Sequence, residues 1–530
     1  MNHGRCLIYL CVGVLGEIIV MTILTDCFRN NWNHLFVLKS TDKRSVSQEL
    51  SFLKRDVLKK PSLSLKQRFT KQKEELKQMY TCLLDQQANI AQHKTLRDCN
   101  LKGRVNFLLN ELETISQDVL SPEMDGLAEK LRMYTAKKFY DKQNPKDCRH
   151  ANVLQCAIDW MCGYGCFLRH YITCFNIGIS LNRTVLITTR RSGVAFNSMH
   201  KPISESCENV SLSCNHVLSA DTEKATLENE RCVIFRMKMR PPADQFYLSY
   251  SVPRDIFPLI FAFNSEPLAW WNGQITSFIM RPQKWLENVI KHKEETALIK
   301  RPIVGVHIRA DKEKNKIYPI SHYMAFVEQW WIRYEQQQQL AGKHISSIVR
   351  RLYIATDKSW VVPQVRKDYP NYHITHDEKS TNHSSPTKRK EMEGAVGFVT
   401  DVHALSKCDF VVCGFTSHVC QAVFHLMQSH YTDASDRMVS VSGNYNPELT
   451  SPITSNRYVA AMDHVASPKS GELNMTRGDA LLVFDIPQFA RYSLPGKGYY
   501  WVNNTVSGEI GSVPSYKIKP FLRTNSVPFL

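Results

Sequence analysis

Between Cys6 and Leu24 the chain is almost continuously apolar, interrupted by Glu17. The run is long enough to cross a thin bilayer as a helix. Only a short stub carrying Arg5 precedes it, and Thr22, Ile23, Leu24 and Thr25 make a poor small-x-small cleavage signal. An uncleaved signal anchor at 6–24 is therefore expected, with a cytosolic stub at 1–5 and a lumenal body. A cleaved signal peptide is the alternative. Residues 25–60 are polar and basic without a sustained period and read as a stem. Helical periodicity then takes over from 61 to 140. Leu76, Leu83 and Ile90 recur every seven residues, and Leu101, Val105, Leu108, Leu112, Ile115 and Val119 follow a 4-3-4-3-4 spacing. This draws one apolar seam along a helix, as in a coiled coil, and predicts a homodimer through the helical region. A stalk packed on its own domain is the alternative. Ser121-Pro122-Glu123 closes this helix and opens the next, since proline is tolerated in a first helical turn.

Beyond 141 the period changes. Thr184–Thr189, Pro302–Ile308, Arg351–Thr356 and Asp409–Cys413 are apolar runs of strand length, separated by helical stretches such as His322–Gln339 and Thr400–Leu405. Apolar strands alternating with helices predict an α/β fold with a parallel sheet covered on both faces. The expected organisation is a cysteine-rich open α/β region at 141–300 and a Rossmann-type region at 301–460. Ligands of such sheets bind beyond the carboxyl ends of the strands. His307–Lys312, Thr356–Lys358 and Gly414–Cys420 all follow strands and are expected to converge on one crevice. At 461–525 the short runs Thr476–Phe484 and Gly508–Tyr516, broken by Gly, Asp and Pro, predict a small β-barrel.

Composition narrows the class. With 43% hydrophobic and 22% charged residues the chain is globular rather than disordered. Its net charge of +17 fits a phosphorylated substrate, an anionic membrane, nucleic acid or simply a solvated basic surface. No zinc-finger spacing, RNP-like aromatic motif or basic zipper is present, so nucleic acid is not an expected partner. Of the 16 cysteines, Cys148, Cys156, Cys162, Cys166, Cys174 and Cys207 cluster, a density suited to an oxidising compartment. Cys162-Gly-Tyr-Gly-Cys166 also has a metal-like spacing, but no close second pair with histidine completes a zinc site. Spacing alone leaves the disulfide pairing open. N-glycosylation sequons at Asn182, Asn209, Asn382, Asn474 and Asn503 agree with a secretory lumen.

The candidate chemistry begins at Val306-His307-Ile308-Arg309. An arginine leaving a buried parallel strand presents a fixed fork of donors to a phosphate. Transfer from a sugar nucleotide requires such a cation, because the departing diphosphate gains charge in the transition state. No Asp-x-Asp pair follows a strand, so a metal-free site based on arginine is expected. Taken alone, the same tripeptide is weak evidence of function and better suits a structural ion pair between Arg309 and a carboxylate.

The context is more specific. Val304-Gly-Val-His-Ile-Arg309, then Asp311-Lys312, Pro319-Ile320 and Tyr323-Met324, resembles the first motif of the α-1,6-fucosyltransferases. Tyr353-Ile-Ala-Thr-Asp357 with Tyr369-Pro-Asn-Tyr372 resembles the second, and Asp401-Val-His403, Asp409–Cys413, Phe415-Thr-Ser417 and Val419-Cys420 resemble the third. Cys162–Cys166, Trp270-Trp271 and Arg281-Pro-Gln-x-Trp285 match in order, and Gly478-Asp479 with Pro514-Ser-Tyr-Lys517 resembles the family's SH3-like barrel. The resemblance runs from about 60 to 520. It implies a Rossmann-type, GT-B-like catalytic region with a coiled-coil stalk and an SH3-like β-barrel, in a single-pass type II protein of the Golgi membrane. The implied reaction moves fucose from GDP-fucose to the 6-hydroxyl of the innermost N-acetylglucosamine of an N-glycan, with inversion and without metal or cofactor. His307 and Asp401 would hold the guanine, the carboxylate accepting both guanine N–H donors. Arg309 and Ser417 would bind the β-phosphate. Asp357, Lys312 and Tyr323 would shape the donor and acceptor site, with Asp311 in the same catalytic segment. His464 is the matching acceptor contact. The implied disulfides are Cys148–Cys207, Cys156–Cys174, Cys162–Cys166 and Cys413–Cys420.

The sequence departs from the family pattern in the reacting segment. Arg309-Ala310-Asp311-Lys312 lacks a second adjacent arginine and is one residue shorter. Glu313 follows the lysine at once, with Lys314 nearer the place of the family's base, so Glu313 serves as general base only if the shortened loop re-aims it. Lys358 stands where the family has a second acid, and His418, at a substrate-binding position, where it has glutamine. These departures leave a second reading: a Golgi relative that binds GDP-fucose or glycan with impaired catalysis.

Overall fold

The computed structural model describes residues 122–530 apart from short stretches, the longest being 237–250, 310–317, 446–455 and 484–498. The expected stub, anchor, stem and heptad seam lie outside the described residues. Among the described residues no helix is long and apolar enough to cross a membrane.

Helix α1 (Pro122–Gln143) opens the described chain. Leu127, Leu131, Tyr134 and Phe139 fall on one face and are buried, the spacing that a helix packed along one side requires. Phe139 meets Phe175, Trp271, Phe278 and Phe529 edge-on, and the Tyr134 hydroxyl donates to the Phe529 carbonyl at 2.9 Å. Each such aromatic pair contributes about 0.5–1.5 kcal/mol beyond its buried area, so this cluster ties the chain end to the core.

The first sheet contains β1 (Val153–Ile158), β2 (Thr184–Thr189), β3 (His216–Val217) and β4 (Cys232–Arg236) in the order β2-β1-β4-β3, all parallel. Helix α2 (Tyr164–Ser180) connects β1 to β2 and is held to β1 by Cys156–Cys174. Cys148–Cys207 and Cys413–Cys420 also form. Cys166 is disulfide-bonded, and Cys162 lies outside the described residues. A further bridge, Cys214–Cys232, was not anticipated from the clustered cysteines, because it joins a loop to β4 outside the cluster. After the short β5 (Val252–Pro253) come α3 (Phe257–Phe263), α4 (Pro267–Ile279) and α5 (Lys284–Ala297). Trp270 and Trp271 on α4 are fully buried.

The second sheet runs through β6 (Ile303–Ile308), α6 (Ile320–Leu340), β7 (Arg351–Thr356), α7 (Val361–Asp368), β8 (His373–His376), α8 (Glu378–His383), α9 (Met392–Ser406), β9 (Phe410–Cys413), α10 (His418–His430) and β10 (Met438–Ser440). All pairings are parallel and the order is β10-β9-β6-β7-β8. Counted from β6, this is the 3-2-1-4-5 order of a Rossmann sheet, which reverses direction between β6 and β9. The four expected strands form, shortened by a residue at Pro302 and Asp409.

Strand alternation divides the side chains of this sheet between two cores. Val304, Val306, Ile308, Leu352 and Ile354 face α6 and α7, packing with Tyr323, Val327, Trp331, Val361 and Val365. Ile303, Tyr353, Ala355 and Val411 face the opposite core with Val399, Val402 and Leu405 of α9. The close approach of α9 requires Gly305: a Cβ there would lie 2.9 Å from both Cys408 Sγ and Leu405 Cδ2.

The last sheet is antiparallel, ordered β14-β13-β12-β11-β15, from β11 (Asn456–Ala460), β12 (Ala480–Val483), β13 (Tyr499–Asn504), β14 (Ile510–Pro514) and β15 (Ile518–Pro520). Tyr458, Leu481, Val502, Val513 and Ile518 form its core. Its first strand precedes the stretch where the turn pattern places the barrel. The final strand β16 (Thr524–Asn525) pairs parallel with β5.

Two buried histidines make stability depend on pH. His200 bonds to the Tyr164 hydroxyl, and His425 lies between Tyr445 Oη at 2.7 Å and Thr276 Oγ1 at 3.0 Å. Burial pushes both imidazoles down to about 3. Above pH 6.5 folded and unfolded chains both carry them neutral; below it the unfolded chain takes up protons that the fold refuses. Stability is therefore present above the unfolded pKa and lost as pH falls. These two groups alone remove roughly 2 kcal/mol between pH 7 and 5.5. Urea unfolding at the two pH values checks this, and equal stability would mean that both imidazoles protonate within the fold.

Candidate active site

Parallel register brings Arg309 and Asp357 together. Gly305 pairs with Tyr353 and His307 with Ala355, so the next step of the same ladder sets Arg309 opposite Asp357, just past the carboxyl ends of β6 and β7. Arg309 Nη1 lies 3.2 Å from Asp357 Oδ2, with the carboxylate side chain 8% exposed and the guanidinium 32% exposed. The arginine thus makes the ion pair that its motif alone could not exclude, and about a third of its side chain stays exposed. Tyr323, 2% exposed, bonds to the Arg309 backbone, which fixes where the strand ends.

His307 shares this face. It is 5% exposed and its Nδ1 has no hydrogen-bond partner. Burial, reinforced by the Arg309 charge, pushes the imidazole down to about 4, so it stays neutral at neutral pH, with one donor and one acceptor. A buried polar atom left without a partner normally costs stability, and a ligand that bonded to this nitrogen would recover that cost.

On the other side of the switch point, Gly414 to Ser417 link β9 to α10. Phe415 N–H donates to Ser440 Oγ and Thr416 N–H to Ser442 Oγ, both at 3.2 Å, while Gln421 Nε2 donates to the Phe415 carbonyl at 2.9 Å. Cys413–Cys420 spans the same loop. Ser417 is the N-cap of α10, its side chain not bonded to that helix's amides, and His418 is the first helical residue. The N-terminus of α2 lies alongside. A Cβ at Gly165 would approach Phe398 Cε2 to 2.7 Å and His418 Cβ to 2.9 Å, so only glycine lets the two helix starts come this close. Gly163 lies against the Arg389 side chain. Two helix N-termini, one with the Arg389 side chain beside it, form an environment that favours an anion.

Asp401 stands on α9, on the side of the sheet that Tyr353 faces. Its Oδ1 accepts from Lys293 Nζ at 2.6 Å and Tyr353 Oη at 2.7 Å, and its Oδ2 from Ser380 Oγ. Lys293 also contacts Asp377 Oδ2 at 2.9 Å and donates to Thr400 Oγ1 at 3.1 Å, so its three N–H donors are all engaged. Its two carboxylate partners outweigh the burial cost and raise its pKa, even though burial is the largest single influence; Lys293 in turn holds Asp377 below the usual range against burial. The expectation that Asp401 accepts two guanine donors therefore meets a carboxylate with most of its acceptor positions occupied.

Lys293, Ser380 and Asp377 were not among the residues read from the sequence. Lys293 did carry a signal: it follows the buried Leu286 and Ile290 on the apolar stripe of α5, where an uncompensated lysine would not be buried. Asp311, Lys312 and Glu313 lie outside the described residues. His464 is engaged in the C-terminal region, where its Nε2 lies 3.3 Å from Glu472 Oε2.

Residues 25–445 match the family model described as alpha-(1,6)-fucosyltransferase N- and catalytic domains. The chain is 29% identical over 349 residues to the alpha-(1,6)-fucosyltransferase of Drosophila melanogaster, covering 64% of this chain and 54% of that protein. It is 26% identical over 436 residues to the alpha-(1,6)-fucosyltransferase of Caenorhabditis elegans, covering 78% and 73%. The aligned part thus spans about half of the fly protein. Among solved structures it is similar to NodZ alpha-1,6-fucosyltransferase soaked with GDP-fucose, at 12% identity and TM-score 0.31 over 52% of this chain and 92% of that one. It is also similar to an Arabidopsis thaliana FUT1 mutant in complex with GDP, at 9% identity and TM-score 0.32 over 58% and 77%. A family match across most of the chain, over the elements that carry Arg309, Asp357, Asp401 and Ser417, places this protein in the alpha-(1,6)-fucosyltransferase family.

Proposed function

We propose that the chain transfers fucose from GDP-fucose to the 6-hydroxyl of the innermost N-acetylglucosamine of N-linked glycans, with inversion and without a metal ion. The observation that carries the reading is Arg309, delivered by the first strand of a Rossmann-ordered sheet to its switch point. In this reading the guanine lies toward His307 and Asp401, and the diphosphate lies between Arg309 and the start of α10 at Ser417. As the bond from fucose C1 to the phosphate oxygen breaks, charge grows on the leaving GDP. The guanidinium and the helix N-termini meet that charge. The acceptor hydroxyl attacks the opposite face of C1 and loses its proton to a base in the segment of Asp311, Lys312 and Glu313. Asp357 holds Arg309 in position, and Tyr323 fixes the end of β6.

The two parallel α/β sheets support a GT-B-like catalytic region. The strand order of the last sheet, four successive antiparallel strands with β15 returning beside β11, supports an SH3-like barrel, in which His464 would contact the acceptor. The disulfides and the apolar run at 6–24 support a type II Golgi membrane protein with a lumenal body, and the heptad seam supports a homodimer. The shortened segment after Arg309 favours a second reading, a Golgi relative that binds donor or glycan with impaired catalysis. Incubating the lumenal body with GDP-fucose and a truncated N-glycan and mapping the product linkage decides between them. A 1→6 linkage on the innermost sugar supports transfer. GDP binding without product supports the impaired relative, and a different linkage rejects the acceptor assignment.

A further inference from the structure

We propose that Asp401 cannot read both donors of a guanine edge, and that Lys293, Tyr353 and Ser380 impose this limit, so that the nucleobase pocket takes hypoxanthine nearly as well as guanine. The inference rests on the reading of the crevice as a purine nucleoside-diphosphate site. An ionised carboxylate has about four acceptor positions. Oδ1 of Asp401 is filled by Lys293 and Tyr353 at 2.6 and 2.7 Å, and Oδ2 already takes the Ser380 hydroxyl. One position remains, on Oδ2. Guanine presents two parallel donors, N1–H and the 2-amino group, and a free carboxylate meets them with one oxygen each. Here a single oxygen is available, so N1–H is accepted and the 2-amino group finds no partner on this side chain.

The occupied state is built in. Lys293 spends its other donors on Asp377 and Thr400 and cannot swing aside, and Asp401 is only 9% exposed. Tyr353 stands on β7 opposite Gly305, and the Ser380 side chain is packed against the α9 backbone at Gly397. The arrangement still discriminates against adenine, whose N1 is an acceptor and would face the carboxylate lone pair. Hypoxanthine keeps the N1–H, O6 and N7 of guanine and lacks only the 2-amino group.

The test is calorimetric titration of the lumenal body with GDP, IDP and ADP. GDP and IDP are expected to bind within about threefold of each other, and ADP at least tenfold more weakly. Tyr353→Phe vacates a position on Oδ1 without removing a charge, leaving one position on each oxygen, and should raise the preference for GDP over IDP to about tenfold or more, the value of a hydrogen bond to a charged acceptor. A wild-type preference for GDP over IDP of tenfold or more overturns the inference, as does a Tyr353→Phe variant with an unchanged ratio. The wild-type ratio decides the matter even if that variant folds poorly. If none of the three nucleotides binds, the donor-site reading itself fails and this inference with it. GDP binding with the wrong ratio sinks only the inference.

Discussion

Replacing Arg309 with alanine is expected to lower kcat for fucosyl transfer by at least about 10²–10³-fold, the loss seen when a preorganised charge-stabilising group is removed. The physical reason is local. In the proposed reaction, leaving GDP would gain its negative charge at the carboxyl end of β6, where that strand delivers Arg309, 3.2 Å from Asp357. Arg309→Lys keeps the charge but loses the planar fork, so it should recover only part of the rate. The substitution also leaves Asp357, 8% exposed, without this guanidinium, so a melting curve must accompany the kinetics. A folded Arg309→Ala variant with near-normal turnover would remove this side chain from the chemistry. Loss of rate with GDP affinity largely retained would place its contribution in the transition state rather than in ground-state binding.

The second large effect is on stability. Lys293→Met should destabilise the chain by about 3–5 kcal/mol, because it strips the cation from two carboxylates in a buried setting. Lys293 is 8% exposed and bridges Asp401 and Asp377. Its pKa is raised, so its stabilising share is present below the ordinary lysine range and lost only as the pH climbs through the folded value. The pKa of Asp377 is lowered, so its share is present above the ordinary carboxylate range and lost only in acid. Across neutral pH the network is therefore constant, and the loss in Lys293→Met should be nearly the same at pH 6 and pH 8. Urea denaturation of wild type and variant at both values measures it. A loss under about 1 kcal/mol would show that the two carboxylates find other compensation or that water enters the site. Replacing Lys293 and Asp401 together by methionine and asparagine should cost less than the sum of the single changes, since each alone leaves the other without its partner.

Much of the Rossmann-ordered sheet was legible because its strands are apolar on both faces and its helices are not. Val304, Val306 and Ile308 alternate with Ile303, Gly305 and His307, and that alternation already implies a sheet with a core on each side. Of the motif residues, Arg309 and Asp357 directly follow β6 and β7, His307 is near the carboxyl end of β6, and Ser417 is in the loop after β9, all toward the end where a parallel sheet opens to solvent. Lys293 was less visible. It stands among other charged residues on an amphipathic helix, and only its place on the buried stripe set it apart. Cys214–Cys232 was invisible for a related reason: sequence distance does not say which loops a sheet brings side by side.

The amino-acid order alone determined the element types, the strand ends and the residue kinds available there, because side-chain periodicity and local sterics act over a few positions. Register, strand order and the state of each charge were decided by the tertiary structure. Arg309 faces Asp357 because β6 and β7 pair in one parallel register, and Asp401 is occupied because α5, β7 and α8 converge on it. Those are contacts between segments tens of residues apart, and their energies depend on desolvation and hydrogen-bond geometry that exist only once the chain has packed.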